Sequence, residues 1–461
     1  MTPPDGDERM ASLVVWMNGE RVGEWGTARR GGSPFFRYER AWAGSKRARA
    51  LSLSLPLTAD LEVRGPQVEN YFDNLLPDNP AIRSRIRSRF ATASADTFDL
   101  LTAVGRDCVG AVQLLAPDQE PVGWDRIDSS ALTAGDVEKL LREVTSPGPL
   151  ADESRDELRI SLAGAQEKTA LLGMGGRWFR PQGATPTTHI LKLPLGIIGG
   201  FRGDFSDSVE NEWLCARFLH ELNLPVAQSG IATFGEQRVL VVNRFDRQWQ
   251  GTDAAAVRKK GFKPARGVWI ARIPQEDLCQ ATGRPPTQKY EADGGPSISE
   301  ALTLLANSES PLDDPSNLVL AQLAFWLLAA TDGHGKNFSI HNRAGGAYRM
   351  TPLYDVLSAW PIIGHGKNQL PLEKAKLAMA VRGKRAHYRL NEISARHWQE
   401  LAQRAGVPGL WQRMQALAES AVQAIDRVEA QLVAGFPERV YSSIRAGIRS
   451  QARRFAQTLP G

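Results

Sequence analysis

The feature that most constrains the fold of this chain is an apolar run at residues 318–330, in which Gln322 is the one strongly polar side chain. A helix that is apolar on nearly all of its sides has to be buried on all of them. The run therefore predicts the central helix of a large helical unit. It is too short to cross a bilayer, which takes about 20 apolar residues. A helix of this kind would hold the residues directly after it rigidly.

The residues that follow, 331–337 (Thr-Asp-Gly-His-Gly-Lys-Asn), and the later Asp355 contain the groups that kinase-type phosphoryl transfer requires. In that chemistry one carboxylate accepts the proton of the attacking hydroxyl, and an amide and a second carboxylate hold magnesium. We therefore interpret Asp332 as the base. Because magnesium prefers oxygen ligands, we predict that Asn337 and Asp355 bind the metal.

His334 and Lys336 are interpreted as supporting residues of the same nucleotide-binding loop. An exposed turn is the alternative, because Asp and Gly also suit turn geometry. The segment alone does not decide between a turn and an active site.

Composition sets broad limits on function. The 461 residues are enough for about three domains or lobes. The net charge of +5 and the pI of about 9.1 are compatible with an anionic partner such as nucleotide or DNA, without proving one. The cysteines Cys108, Cys215 and Cys279 are scattered, which favours a reducing cytoplasm. The first residues do not resemble a signal peptide, so we expect a cytoplasmic protein with no membrane contact.

Patterning divides the chain into three parts. Residues 1–150 alternate strand-like and helical runs and predict a small α+β module that packs or docks a partner. A polar stretch at 148–159 predicts a linker. Residues 151–275 predict a β-rich part, and residues 276–461 predict an all-helical lobe.

Residues 160–171 place a turn of small residues between two strand-like runs. Main-chain N–H groups in such a turn can approach an anion, so we predict a phosphate-covering hairpin loop; an ordinary hairpin turn is the alternative. A P-loop is excluded, because Glu167 stands before the lysine where that motif has Gly. The loop residues assigned to the nucleotide are Ala163, Gly164, Ala165 and Gln166.

Lys192 lies between Leu191 and Leu193 in a strand-like run, where an unpaired buried charge would be costly. Its partner would be ATP phosphate or a structural carboxylate. The amphipathic run at 207–222 predicts a helix, from which Glu212 could orient Lys192 as the glutamate of a kinase Lys–Glu pair does.

Two basic segments are predicted to be solvated loops, the insertion at 249–267 and the cluster at 382–389. For the second segment, a contact with DNA phosphates is the alternative.

Several of these segments together resemble the HipA family, the serine/threonine kinase toxins of bacterial type II toxin–antitoxin pairs. The resemblance implies an α+β, atypical protein-kinase-like fold of two lobes, with a β-rich N-terminal part and an all-helical C-terminal lobe. It extends over nearly the whole chain. The segments that carry it are residues 160–171, 187–194, 242–247, 274–277 and 331–337, with 15–19 and 73–77 resembling the first module of that family.

The resemblance also implies ATP and Mg2+ as cofactors, with residues 151–275 as the ATP-binding part. It gives Asp332 the role of base, makes Asn337 and Asp355 the metal ligands, and places Lys192 on the phosphates.

The same resemblance assigns adenine binding and regulation. Main chain around Asn243, Arg244 and Phe245 would hold the adenine. Ser161 would be autophosphorylated, which would eject the phosphate-covering loop and switch the kinase off.

The implied partners are a HipB-like helix-turn-helix antitoxin, operator DNA bound through that antitoxin, and a protein substrate. In this family the substrate is usually an aminoacyl-tRNA synthetase, most often the glutamyl enzyme, and its phosphorylation causes dormancy and drug tolerance. The alternative is a catalytically weak kinase-fold co-repressor acting with an antitoxin on operator DNA. The presence of Asp332, Asn337, Asp355 and Lys192 favours the active kinase, because a degenerate kinase would be expected to lose at least one of them.

Overall fold

The structure is a computed structural model that describes residues 11–27, 33–145, 163–164, 166–199 and 203–459. The predicted linker at 148–159, Ser161 and Ala165 lie outside the described residues.

The first unit is an antiparallel sheet with helices packed on it. Its elements are β1 (Ala11–Met17), β2 (Glu20–Thr27), β3 (Phe35–Tyr38), α1 (Arg40–Ala43), β4 (Glu62–Arg64), α2 (Pro66–Asp73), α3 (Pro80–Phe90), α4 (Thr97–Val104) and β5 (Gln113–Leu115). The strand order is β4-β3-β2-β1-β5. Asn18 and Gly19 turn the first hairpin with φ angles of 47° and 81°, as an Asn-Gly pair favours. On the core side, the Trp25 ring stacks on Phe72 of α2 with centroids 4.0 Å apart.

The second unit is built on a six-stranded antiparallel sheet. Its elements are β6 (Ser129–Leu132), α5 (Ala134–Thr145), β7 (Lys168–Met174), β8 (Arg177–Pro181), β9 (His189–Lys192), β10 (Gly196–Ile198), β11 (Gly203–Phe205), α6 (Ser208–Glu221), β12 (Ser229–Phe234), β13 (Gln237–Asn243), β14 (Arg247–Gln250), α7 (Ala254–Arg258) and β15 (Trp269–Arg272). The large sheet has the order β12-β13-β9-β7-β8-β6, and β10–β11 and β14–β15 form separate hairpins.

Two features differ from the sequence prediction: the end of the first unit and the structure of the insertion. Strand β6 pairs with β8, although it lies within the module predicted for residues 1–150. By strand pairing, the first unit therefore ends before β6. The insertion at 249–267 is not a plain loop, because it contains the end of β14 and helix α7.

The third unit is mainly helical and contains the loop at residues 331–337. Its elements are β16 (Gln275–Asp277), α8 (Leu278–Ala281), α9 (Ile298–Leu305), α10 (Asp313–Leu328), β17 (Ser339–Asn342), β18 (Tyr348–Met350), β19 (Lys376–Arg382), β20 (Ala386–Arg389), α11 (Ala395–Ala405), α12 (Leu410–Glu429) and α13 (Glu438–Gln457). Helix α10 is the predicted central helix: it is buried from residue 318 to its end and contacts α9, α11, α12 and α13. None of the described helices is long and apolar enough to span a membrane.

The prediction that this lobe is all-helical is wrong. Strands β16, β17 and β18 form a small sheet, and β19 pairs with β20. The first three have only three or four residues, too few to show an alternating pattern, and β19 is a continuous apolar run that periodicity cannot distinguish from a buried helix. The basic cluster at 382–389 is accordingly a hairpin, in which Arg382 pairs with Glu291 and Arg389 with Glu392.

A buried ion cluster joins the first two units. Asp107 of the first unit binds Arg244, Arg247 and Arg272 of the second at N–O distances of 3.3, 2.9 and 3.1 Å. Asp246 binds Arg244 and Arg247 at 2.7 and 2.9 Å. Burial opposes ionisation of Asp246, but the two arginines outweigh it and hold the pKa of Asp246 at about 2. The cluster therefore fixes the segment after β13 against the first unit.

Glu276 of β16 joins the first and third units. Its Oε1 accepts hydrogen bonds from the main-chain N–H of Leu53 at 3.0 Å and from Asn342 at 2.8 Å, and Oε2 accepts one from the Ser52 hydroxyl. Burial raises the pKa of Glu276 to about 7.

We expect the Glu276→Gln variant to show a flatter dependence of stability on pH. Because folding raises the pKa of Glu276 from about 4.5 to about 7, its contribution is full below the lower value and is lost as pH rises through the higher one. That change corresponds to roughly 3 kcal/mol. Urea unfolding between about pH 5 and pH 8 measures it. If the unfolding free energy of wild type and variant fell equally as the pH rises over this range, the prediction would be contradicted.

Candidate active site

A cleft lies where the three units meet, and all three contribute to its walls. Asp332, Asn337 and Asp355, which the sequence predicted to share one site, all line this cleft. Its lining also includes Asn74, Asp78, Ala163, Gly164, Lys168, Lys192, Asn243, Phe245, Lys289, His334 and Lys336.

The loop that carries the predicted base begins where α10 ends. Ala329 adopts a left-handed φ of 48°, which terminates the helix and redirects the chain. Gly333 lies so close to the Phe325 ring that a Cβ there would be 2.6 Å from a ring carbon. The Asp332 side chain is 57% exposed, whereas His334 and Asn337 are buried. The loop therefore places one exposed carboxylate on a rigid, tightly packed turn.

Asp355 approaches this loop from the segment after β18. Its φ of 60° lies in the left-handed region, where Asp is tolerated better than most side chains. The Asn337 side-chain amide donates to the main-chain oxygen of Asp355 at 3.1 Å, and the Tyr354 hydroxyl donates to that of Lys336 at 2.8 Å. These bonds tie the two predicted metal ligands together.

Lys192 occupies the opposite wall. Its Nζ donates to Glu212 Oε1 at 2.6 Å and to Asp355 Oδ1 at 2.9 Å, which confirms the predicted Lys192–Glu212 pair. Burial by itself would lower the pKa of Lys192, but Asp355 and Glu212 outweigh it and raise that pKa. Lys192 in turn holds the pKa of Asp355 well below its usual range despite burial. Burial raises the pKa of Glu212 against the opposing effect of Lys192, so Asp355 is the more strongly ionised carboxylate.

The donor atoms of Asn337 and Asp355 suit a magnesium ion. Asn337 bonds through its amide nitrogen, which leaves its carbonyl oxygen for a cation, and Asp355 Oδ2 lies outside the ion pair with Lys192. In the described part of the chain, no group of three or more His, Cys, Asp or Glu side chains could hold a metal. Proteins commonly bind Mg2+ through one or two carboxylates together with phosphates and waters, and Asp355 and Asn337 supply oxygen atoms of the kind that Mg2+ prefers.

The loop predicted to cover the phosphates is partly described. Gly164 has a φ of 105°, and a Cβ at this position would lie 2.7 Å from Lys168 Nζ. Its carbonyl accepts from the Asp78 N–H at 3.2 Å, and Ala163 lines the cleft beside it. Lys168 lies opposite Lys192 on the neighbouring strand, and burial lowers the pKa of Lys168 to about 8.

Gln166 is not brought into the cleft. It is buried, and its amide donates to the main-chain oxygen of Leu193 at 2.6 Å. Its side chain therefore supports the chain after strand β9, and a main-chain contact of this loop with the nucleotide stays a prediction. No local pattern indicates the contact with Leu193, because the two residues are 27 positions apart.

The predicted adenine-binding segment lies at the cleft, and its main-chain contact with adenine stays a prediction. Asn243, Arg244 and Phe245 border the cleft, but the Arg244 guanidinium is 1% exposed and belongs to the ion cluster of Asp107 and Asp246. Its side chain is structural, and the sequence could not reveal this because Asp107 is distant along the chain. Among the described residues, the main-chain N–H of Phe245 has no hydrogen-bond partner, so it is available to an adenine edge.

His334 and Lys336 face different partners. Burial lowers the pKa of His334 to about 4, so its imidazole is neutral. Lys336 donates to Asp78 Oδ1 at 2.6 Å, and Lys289 donates to Asp78 Oδ2 at 2.9 Å. Although burial alone would raise the pKa of Asp78, Lys336 and Lys289 lower it to about 2. Lys336 therefore connects the loop to the first unit through its ion pair with Asp78.

Sequence reasoning missed four residues at this site: Asp78, Lys168, Lys289 and Tyr290. The first unit was assigned packing or docking alone, yet Asp78 holds two lysines of the third unit. The polar positions within residues 73–78, which lie on both sides of the buried Leu75 and Leu76, were a usable signal. Lys168 is the lysine of the segment that does not match the P-loop motif, so the motif assigned it no role.

The architecture, with a β-rich part and a mainly helical lobe around a cleft, is that of an atypical protein-kinase-like two-lobe fold. Residues 160–434 match the HipA-like C-terminal domain and residues 13–115 match the HipA N-terminal domain. The chain therefore belongs to the HipA family.

Individual relatives agree with this assignment. The chain is 34% identical over 423 residues to Y4mE of Sinorhizobium fredii, a protein named as a candidate kinase, covering 90% of this chain and 91% of that protein. It is 27% identical over 320 residues to the serine/threonine-protein kinase toxin HipA of Shewanella oneidensis, covering 67% and 66% of the two chains. The solved structure of Shewanella oneidensis HipA with HipB and operator DNA superposes with a TM-score of 0.74 at 22% identity, covering 96% of this chain and 97% of that one.

Proposed function

We propose that this protein is an ATP-dependent serine/threonine protein kinase, the toxin of a HipBA-like toxin–antitoxin module. The observation that carries the proposal is that Lys192, already paired with Glu212 and Asp355, faces the same cleft as Asp332 and Asn337. These side chains are the set that phosphoryl transfer requires. The names of the two curated relatives support the same activity.

Each side chain has a role in this proposal. Glu212 orients Lys192 toward the position of the phosphates, and Asn337 and Asp355 would hold the metal through their side-chain oxygen atoms. Bound Mg2+ would supply positive charge next to the phosphate oxygens. Asp332, exposed at the cleft, accepts the proton of a serine or threonine hydroxyl. The Phe245 N–H would bind the adenine edge.

The proposed macromolecular partners are a HipB-like antitoxin, and operator DNA through that antitoxin. Their support is the family membership and the solved relative, which contains HipA, HipB and operator DNA. The proposed protein substrate is an aminoacyl-tRNA synthetase in the cytoplasm, with the glutamyl enzyme tested first, on the strength of the family resemblance.

Transfer of label from [γ-32P]ATP to a panel of purified aminoacyl-tRNA synthetases, with Mg2+, tests this function. We expect label on a serine or threonine of one synthetase, located by peptide mapping. A protein that labels neither a synthetase nor itself, yet binds an antitoxin and operator DNA, would instead be the co-repressor described above.

We expect the Ser161→Ala variant to phosphorylate its substrate while no longer inactivating itself. A phosphoserine adds about −1.5 to −2 charges, and in the proposed phosphate-covering loop that charge would repel the phosphates of ATP. Activity is measured before and after preincubation with ATP. Ser442→Ala, an exposed serine on α13, is the matched control. Loss of activity on preincubation to the same extent in Ser161→Ala as in wild type would contradict the assignment.

A further inference from the structure

Tyr290 lies beside the predicted base, on a segment that the function so far does not use. It sits between two 3-10 turns, Pro286–Gln288 and Glu291–Asp293. Its hydroxyl donates a hydrogen bond to Asp332 Oδ1. The nearest other charged or titratable contact of that carboxylate in the described chain is His334 Nε2, at 3.8 Å. An exposed aspartate with so few contacts would otherwise sample several rotamers.

The backbone that presents Tyr290 is held at several points. Its carbonyl accepts from the N–H groups of Asp293 at 3.0 Å and Gly295 at 2.8 Å. A Cβ on Gly295 would lie 2.4 Å from the Gln288 carbonyl oxygen, so this turn closes tightly only with glycine.

Its sequence neighbours are anchored to three other parts of the molecule. The Lys289 carbonyl accepts from the Gly335 N–H at 3.0 Å, which joins this segment to the loop that contains Asp332. The Lys289 ammonium binds Asp78 of the first unit. Glu291 accepts from the Ala380 N–H at 2.6 Å and pairs with Arg382 of the β19–β20 hairpin. The hydroxyl of Tyr290 is therefore fixed relative to the active-site loop.

In the hydrogen bond between Tyr290 and Asp332, the phenol is always the donor and the carboxylate the acceptor. Burial and the negative charge of Asp332 both raise the pKa of Tyr290, so the phenol remains protonated and acts as a donor. The ring lies edge-on to His334, with centroids 5.0 Å apart, and is half-buried. With Oδ1 of Asp332 bound to the phenol, Oδ2 is the oxygen left for an incoming hydroxyl.

We propose that Tyr290 is a positioning residue for Asp332, which holds the carboxylate in one rotamer so that Oδ2 faces the substrate hydroxyl. This inference rests on the proposed kinase function and adds a residue to it. The first unit contributes indirectly, because Asp78 anchors the neighbouring Lys289.

The Tyr290→Phe variant tests the proposal, since it keeps the ring and removes only the donor. We expect kcat to fall by about 10- to 100-fold, because small misplacements of a reacting group cost up to about 10²-fold. KM for ATP should stay within about twofold of wild type, because the nucleotide contacts are elsewhere, and the melting temperature should change little. Tyr441→Phe is the matched control, as its hydroxyl donates to Glu429 at 2.9 Å between α12 and α13, far along the chain from the cleft.

Two further measurements distinguish positioning from packing. 4-Aminophenylalanine at position 290 restores a donor on the same ring and should recover most of kcat, including where the Phe variant is too unstable to assay. In an Asp332→Asn background, Tyr290→Phe should have no further effect on kcat, because coupled residues are not additive. If wild type is active and Tyr290→Phe is equally active, the positioning role of Tyr290 is overturned while the kinase function stands. The same holds if 4-aminophenylalanine at position 290 does not restore kcat. A wild type with no transfer at all would overturn the kinase function and this role with it.

Discussion

The Asp332→Asn variant is expected to transfer phosphate about 10²–10⁴-fold more slowly than wild type, the range that a positioned general base contributes. The amide has nearly the same shape but cannot accept the proton of the attacking hydroxyl. Asp332 is 57% exposed and forms no buried ion pair with the residues that the structure describes, so folding should be unaffected. The Asn337, Asp355 and Lys192 side chains remain in place, so ATP binding should change little.

Initial rates with [γ-32P]ATP and a direct measurement of ATP affinity separate these two effects. Asp118→Asn, an exposed aspartate in a turn of the first unit, is the matched control and should behave as wild type. Full activity in Asp332→Asn would show that another group accepts the proton. Loss of ATP affinity along with rate would indicate a metal-binding role for Asp332 in place of the assigned one.

The Lys192→Met variant is expected to lose both activity and stability. Lys192 is 6% exposed and contacts two carboxylates, of which Glu212 is buried and would be left without its cation. Removing one partner of a buried ion pair typically costs about 3–5 kcal/mol. Activity should fall at the same time, because the phosphates lose the cation that Glu212 orients.

Urea unfolding measures the loss of unfolding free energy in Lys192→Met. Lys263→Met, which changes an exposed lysine of the insertion, is the control. Adding Glu212→Gln to Lys192→Met should recover part of the lost stability without restoring activity, since the uncompensated charge is then removed. A stable, inactive Lys192→Met variant would mean that the lysine serves the nucleotide but contributes nothing to the fold. A stable and active variant would contradict both roles.

The parts of this site that the sequence predicted are those with a local chemical signal. Asp332 and Asn337 share one short loop after an unmistakably buried helix, so their proximity follows from the chain itself. Lys192 in the middle of an apolar strand requires a buried anion wherever the strand lies, and the nearby helix α6 supplied Glu212.

The parts that were missed depend on contacts between distant segments. Asp78 and Lys336 are 258 positions apart, and no pattern within either segment indicates the pair. From the sequence, the Arg244 guanidinium could bind either a nucleotide or a carboxylate. It binds Asp107 because the first unit packs on the second. The short strands β16 to β18 owe their pairing to the tertiary structure, because isolated strands of three or four residues have little intrinsic stability.

The central claim is that Asn337, Asp355 and Lys192 hold one metal-bound nucleotide. The most direct test is calorimetric titration of ATP, with and without Mn2+ as a spectroscopically visible substitute for Mg2+, into wild type, Asp332→Asn and Asp355→Asn. Wild type and Asp332→Asn should bind ATP much more tightly with the metal. The metal-dependent affinity of Asp355→Asn for ATP should be at least about tenfold weaker. Substituting even a residue that only supports a metal ligand typically lowers metal affinity by about 10- to 100-fold. Equal metal-dependent affinity in Asp355→Asn and wild type would contradict the account.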